Sequence, residues 1–156
     1  MLNQLARYET SLNRFRVKAR ARELILPEGK PFSTNDYLAL AESTHLKQSV
    51  RKALADGIGV GAGSSRLISG HLSVYETLEA KAAAFFHTER ALFFNCGYMA
   101  NLAIFTTLPQ HQDHIFYDEY VHASMIDGMT ASKANTTAFR HNDMIDLSSK
   151  LQSFRD

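Results

Sequence analysis

The sequence predicts an α/β fold, a mostly parallel sheet with flanking helices preceded by a helical arm. Three observations carry that expectation. From residue 45 onward, short apolar runs of strand length alternate with helical patterns of 10–15 residues. Apolar residues 45% and charged residues 21% give the balance of a folded chain that can bury a core. At 156 residues the chain has the length of one ordinary domain.

The elements follow in order. Leu2, Leu5, Tyr8, Leu12, Phe15 and Ala19 fall at steps of three and four, predicting an amphipathic helix over 2–22. Pro27, Gly29 and Pro31 then break the chain, so residues 1–30 read as arm and linker and 31–156 as the main body. His45–Asp56 is helical, with Leu46, Val50 and Leu54 on one side and Gly57 as its stop. A glycine-rich run, Gly57 to Gly63, leads towards a helix over 72–87 with Tyr75, Leu78, Ala82 and Phe85 or Phe86 facing inward. Arg90–Asn95 reads as a short buried strand, Tyr98–Leu108 as a helix and His114–Asp118 as a strand. A helix near 120–132, a strand near 136–140 and a helix at 143–154 complete the pattern. About three strong strands are visible, few for a sheet covered on both faces, so the architecture reads as incomplete.

Formal net charge is +1, so no bulk field recruits nucleic acid or an acidic membrane. Arg7, Arg14, Arg16, Lys18, Arg20 and Arg22 do crowd the first helix, the pattern of a solvated helix face. No apolar run reaches the ~18 residues that span a bilayer, and the N-terminus lacks a signal-type apolar core. The single cysteine, Cys96, cannot form an internal disulfide, which fits a reducing cytoplasm.

Among candidate chemical groups, the run Asn95-Cys96-Gly97-Tyr98 stands first. A strand ends there, glycine permits a tight turn and a helix begins. The free N–H groups of such a helix start can hold phosphate, or the run is an ordinary strand–helix turn. The run Gly57–Gly63 lacks the Lys-Ser or Lys-Thr of a P-loop and follows a helix rather than a strand. Arg66 beyond it either meets a carboxylate or points to water. His122 lies just past the strand ending at Asp118, where parallel sheets line a ligand crevice, and can stack on a flat ring or start a helix. His111, Asp113 and His114 sit in a Pro-Gln-His-Gln-Asp-His turn that reads as a solvated loop, its spacing implying no complete ligand set, so no metal is expected. Cys96 has no assignable base partner, and Asn142 or Asp143 caps the last helix.

Together, six segments in order resemble one family, over residues 33 to 147. Asn35-Asp36-Tyr37-Leu38-Ala39-Leu40 is similar to its "NDYLGL", and Gly61 to His71 to its "GSGGSRLISG(N/H)". Leu78-Glu79 with Ala91-Leu92-Phe93-Phe94 matches "LE…ALLF", and Cys96-Gly97-Tyr98-Met99-Ala100-Asn101 resembles "SGYxAN". His122 to Gly128 resembles "HASLIDG", and Phe139 to Asp143 resembles "FxHND". The chain thus resembles the α-oxoamine synthases, homodimeric fold-type-I pyridoxal 5′-phosphate enzymes that condense a small amino acid with an acyl thioester. The resemblance implies that backbone groups of Gly97 and Tyr98 hold the cofactor phosphate and that His122 stacks on its ring and serves catalysis. It further implies Asn35 near the amino-acid carboxylate, Arg20 (with Arg22 close behind) on the acyl substrate, and Ser65 near the active site.

Within the family, Leu67 suits a long acyl chain, because a buried carboxylate beside leucine would be unpaired. The implied reaction joins L-alanine to a pimeloyl thioester with loss of carbon dioxide, in biotin biosynthesis. The alternatives are the 5-aminolevulinate and 2-amino-3-ketobutyrate branches. Ala39 and Ser64 replace family glycines, each mild if the backbone there is not left-handed. The family's cofactor lysine, the aspartate for the pyridine nitrogen and a second histidine have no match here, and the surroundings of Lys133 and Lys150 fit no cofactor-lysine motif. The expectation is therefore the N-terminal part of a longer subunit, inactive and poorly soluble alone, or else a non-catalytic lysine-free partner subunit.

Overall fold

A computed structural model describes residues 2–26, 28–30 and 32–155, with side chains from 5 to 154. Pro27 and Pro31, expected to break the arm from the body, lie outside the described residues. The chain forms two compact units, Met1–Val60 and Gly61–Asp156. The arm boundary expected near residue 30 falls within the first.

In the first unit, α1 spans Leu2–Val17, five residues shorter at its end than the periodicity predicts. Ala19 takes a left-handed φ of 50°. Its N–H bonds Arg16 O at 3.0 Å and that of Arg20 bonds Phe15 O at 2.8 Å. That paired closure ends a helix whatever apolar pattern follows. Leu5, Tyr8, Leu12 and Phe15 form the expected stripe, all exposed. Next, the Asp36 carboxylate accepts from the N–H groups of Leu40 and Ala41 at 2.7 and 3.0 Å, folding Leu40–Glu42 into one 3₁₀ turn. Helix α2, Thr44–Ala55, is capped by the Ser43 hydroxyl and closed at Gly57, φ 89°, as expected.

The second unit holds α3 (Ser73–Phe86), α4 (Gly97–Thr107), β1 (His114–Asp118), α5 (Ala123–Thr130), β2 (Asn135–Phe139) and α6 (Met144–Arg155). This is the expected α/β class, but with one strand fewer. Arg90–Asn95 is not a strand: among the described residues no neighbouring strand offers it a ladder, and the Phe93 N–H goes instead to the Glu79 carboxylate at 2.8 Å. Strands β1 and β2 pair in parallel, His114 opposite Asn135 through Asp118 opposite Phe139, with α5 as their crossover. Helix α6 starts where the Asp143 carboxylate caps the N–H groups of Ile145 and Asp146 at 3.0 and 2.9 Å. Phe154 near its end packs on His114 and Phe116 of β1.

The buried residues concentrate on α5 and its surroundings, Ser124, Gly128, Met129 and Ala134, with Ala83 on α3 and Gly70 in the loop before it. On α3, Tyr75 and Ala82 are half-buried, whereas Leu78, Phe85 and Phe86 are exposed rather than inward-facing. The tightest packing joins α4 and α5. A Cβ added at Gly128 would stand 2.8 Å from Phe105 Cβ and 3.3 Å from Asn101 O, so the two helices meet backbone to backbone there.

Candidate functional site

Helices α4 and α5 run side by side in the same direction. Asn101 of α4 bonds Ser124 of α5, one turn on Phe105 faces Gly128, and both helix starts therefore lie at one end. Each start carries partial positive charge from its unpaired N–H groups. They are treated differently. The start of α5 is capped by the His122 ring, whose Nδ1 accepts from the Ser124 N–H at 3.2 Å. The start of α4 has no side-chain cap: Cys96 is extended, φ −157° and ψ 156°, and the first helical bond is Ala100 N–H to Cys96 O at 3.2 Å. Among the described residues, nothing accepts from the N–H groups of Gly97, Tyr98 or Met99. A Cβ built on Gly97 meets nothing within 4 Å, so the space beside this glycine is open.

Two aromatic groups flank the opening. The Tyr98 ring stands edge-on to His122, centroids 6.3 Å apart and planes at 80°. The Tyr98 hydroxyl donates to the Asp127 carboxylate, and that bond raises the phenol pKa above its ordinary value. The His122 ring is exposed on its outer side and held on its inner side through Nδ1, which also lies 2.7 Å from the Ser124 hydroxyl.

The turn between β1 and α5 that delivers His122 is pinned by one carboxylate. Asp118 accepts from the N–H of Asn142 at 2.9 Å, from the N–H of Tyr120 at 2.8 Å and from His141 Nδ1 at 2.9 Å. Those donors, the two backbone groups foremost, hold its pKa down to about 2. The Glu119 side chain accepts the His141 N–H at 3.0 Å, and the Glu119 N–H bonds Phe139 O at 2.9 Å. Turns at the C-terminal ends of both parallel strands are thereby locked to each other.

Arg66 meets a carboxylate rather than water. Its guanidinium binds Glu79 through two bonds, 2.6 and 2.9 Å, and lies over the Tyr75 ring at 4.9 Å. Glu79, also accepting from Phe93, sits at a pKa of about 2, with the Arg66 bond as the largest cause. Ser65, on the same loop, is exposed, and its carbonyl accepts from Ile68 and Gly70 at 3.1 and 2.9 Å. Gly70 packs so closely that a Cβ would be 1.8 Å from Ser64 O. Ser64 is not left-handed, whereas Ala39 is, at φ 51°, so the mild reading of that replacement does not hold. Arg20 and Asn35 belong to the first unit, Arg20 closing α1 and Asn35 accepting from the Tyr37 N–H at 3.0 Å.

Other candidates find structural work. His114 bonds the Thr137 hydroxyl at 2.8 Å, and Asp113 accepts from the Gln110 N–H at 2.8 Å. The Lys150 ammonium is tied to Ala138 O and Asp146 at 2.7 and 2.8 Å. A hollow of about 390 Å³ between α3 and residues 91–97 is lined by Leu78, Ala82, Phe86, Leu92 and Phe94, and it reaches Cys96 and Gly97 at the start of α4. Among the described residues its one charged side chain is Glu79, which is bonded to Arg66 and to the Phe93 N–H.

The aminotransferase class I and II family matches residues 29–155. The chain belongs to that family. Aminotransferase class I and II proteins are pyridoxal-phosphate enzymes, so the family agrees with the cofactor class read from the motifs. The chain is 45% identical over 120 residues to 8-amino-7-oxononanoate synthase 2 of Bacillus subtilis, covering 77% of this chain and 31% of that one. Among solved structures it is similar to 8-amino-7-oxononanoate synthase of Francisella tularensis, with TM-score 0.61, 36% identity and coverage of 80% and 33%. It is also similar to serine palmitoyltransferase of Sphingomonas wittichii, with TM-score 0.72, 33% identity and coverage of 76% and 30%. The chain spans about a third of the length of the curated relatives it matches.

Several residues that shape the candidate site carried no signal of their own in the sequence. Asn101, Ser124 and Asp127 were visible only as letters within matched motifs. Their spacing could have found them: Ser124 and Asp127 are three apart and share a face of α5, as Tyr98 and Asn101 share a face of α4.

Proposed function

We propose that the paired starts of α4 and α5 form a platform for pyridoxal 5′-phosphate, and that the chain serves an acyltransferase of the 8-amino-7-oxononanoate synthase type. The donor set fits the phosphate. The N–H groups of Gly97, Tyr98 and Met99 have no acceptor among the described residues at this uncapped helix start, and the space beside Gly97 is open. That uncapped start beside an exposed imidazole is the observation that carries the reading. Gly97 and Tyr98 would hold the phosphate, and His122 would lie against the pyridine ring. When bound, the cofactor supplies an electron sink for a carbanion beside the amino-acid nitrogen.

The protein's own part is orientation. Tyr98, bonded to Asp127, stands edge-on beside the His122 ring. The Asp118 node holds the turn before it. Ser65 and Asn35 would meet the substrates, with Arg20 on the acyl component, and residues 1–30 would act as an arm to the body at 31–156. The proposed substrates are L-alanine and a pimeloyl thioester, joined with loss of carbon dioxide in biotin biosynthesis, in a cytoplasmic homodimer. The names of the relatives support this choice, whereas Leu67, expected beside a buried acyl chain, is fully exposed in this structure. The likeness to serine palmitoyltransferase supports a second reading with the same cofactor site, serine and a longer acyl thioester.

The test replaces a donor without disturbing the helix. Proline is tolerated at a first helical position, and extended Cys96 is compatible with a following proline. Gly97→Pro should weaken binding of pyridoxal phosphate on the order of tenfold, the worth of one hydrogen bond to a charged group, and leave pyridoxal binding unchanged in titration calorimetry. Equal loss for both ligands, or none, would remove the phosphate from this helix start.

A further inference from the structure

We propose that Ser124 and Asn101 are positioning residues that fix the tautomer and tilt of the His122 ring, so that its proton sits on the outward Nε2. The inference rests on the reading of His122 as the residue that faces the cofactor.

The donors decide the direction of each bond. The Ser124 backbone N–H can only donate, and it points at His122 Nδ1 from 3.2 Å. Nδ1 must therefore present its lone pair, which in a neutral imidazole places the proton on Nε2. The Ser124 hydroxyl agrees. It receives a hydrogen bond from Asn101 Nδ2 at 2.9 Å, which leaves its own proton to be given to Nδ1 at 2.7 Å. Ser124 is fully buried at 0% exposure, so no solvent competes for that hydroxyl. With the proton on Nδ1 instead, ring N–H and amide N–H would oppose each other, and the buried hydroxyl would lose its acceptor.

Packing fixes the geometry as well as the protonation. Asn101 and Ser124 stand on different helices, and they bond because Gly128 lets α5 approach α4 closely one turn further on. The chain Asn101–Ser124–His122 thus converts helix packing into the orientation of one ring. What it leaves outside is an N–H donor at Nε2, beside Tyr98 and the open start of α4. A ring so held can offer a hydrogen bond to a ligand oxygen and cannot take a proton at that nitrogen while neutral.

The experiment is nitrogen-15 NMR of the histidine rings in the ligand-free 156-residue protein at neutral pH, with His122 assigned by His122→Gln. The expected result is the Nε2–H form in excess on the order of tenfold, from two hydrogen bonds at Nδ1. Ser124→Ala and, independently, Asn101→Asp should lower that excess several-fold. The aspartate would draw the serine proton to itself and away from the ring. A wild-type ring that is Nδ1–H or an even mixture overturns the proposal, and that reading needs no variant beyond the one that assigns the ring. Unchanged tautomers in both variants overturn it too. Pyridoxal phosphate titration is scored separately: a fixed Nε2–H ring in a protein that does not bind the cofactor would sink the cofactor platform while leaving the ring assignment intact.

Discussion

Ala39 holds a backbone conformation, φ 51° and ψ 38°, in which an L side chain crowds its own carbonyl. The position is forced from both sides. The Asp36 carboxylate binds the N–H groups that follow it, and the Ala39 N–H itself bonds Asp36 O at 3.0 Å. Glycine would adopt this turn without the steric cost, although it has more freedom to lose on folding. Ala39→Gly should accordingly stabilise the first unit by about 1 kcal/mol, raising the urea midpoint with an unchanged slope. A lowered midpoint would mean that residue 39 is not left-handed. The Tyr98 hydroxyl is a second residue-scale case. Because it donates a hydrogen bond to the Asp127 carboxylate, it should ionise above the ordinary tyrosine range, and Asp127→Asn should bring it back down in an ultraviolet titration.

At the scale of elements, what could be read from the sequence depended on where each element finds its hydrogen bonds. Helices α2 to α6 satisfy their own backbone, strands β1 and β2 satisfy each other, and the expected limits of all seven lie within a few residues of those observed. Arg90–Asn95 has strand composition, but strand pairing depends on a distant partner, and composition cannot say whether one is present. The end of α1 was hidden for another reason: a left-handed alanine at 19 carries none of the signal that Gly57 gives at the end of α2. Site residues divide the same way. Gly97 and Tyr98 could be picked out because a helix begins there, and His122 because it follows the strand ending at Asp118; the structure brings these together at one end of the α4–α5 pair. Asn101 and Ser124 needed the packing of two helices to acquire meaning. That packing turns on Gly128. Gly128→Ala places a methyl 2.8 Å from Phe105 Cβ and should cost about 1–3 kcal/mol by overpacking. It should also lengthen the Asn101–Ser124 bond, so hydrogen exchange at α5 should quicken more than at α6. Equal quickening in both helices would mean that the glycine is not a local spacer.

At the scale of the second unit, one carboxylate joins three stretches of chain. Glu79 on α3 binds Arg66 from the preceding loop and the Phe93 N–H from the following segment, where neither β1 nor β2 reaches. The unit's stability should therefore depend on acid in a defined way. Glu79 has a folded pKa of about 2 against an ordinary carboxylate value near 4.5. Between those values the unfolded chain binds the proton and the folded one does not, so stability rises with pH across the window. Glu79's contribution is fully present above the upper value and lost as pH falls through the lower one. Glu79→Gln keeps the shape but gives up the charge that Arg66 requires. The variant should be less stable than the parent at neutral pH, and the gap should close as pH falls from about 4.5 to about 2. Urea unfolding of both proteins at a series of pH values reads this directly, followed in the near-ultraviolet signal of Tyr75, whose ring lies under the guanidinium. A gap that stayed constant across that range would show that the carboxylate's charge does not hold the loop, and that the two bonds to Arg66 act only through geometry.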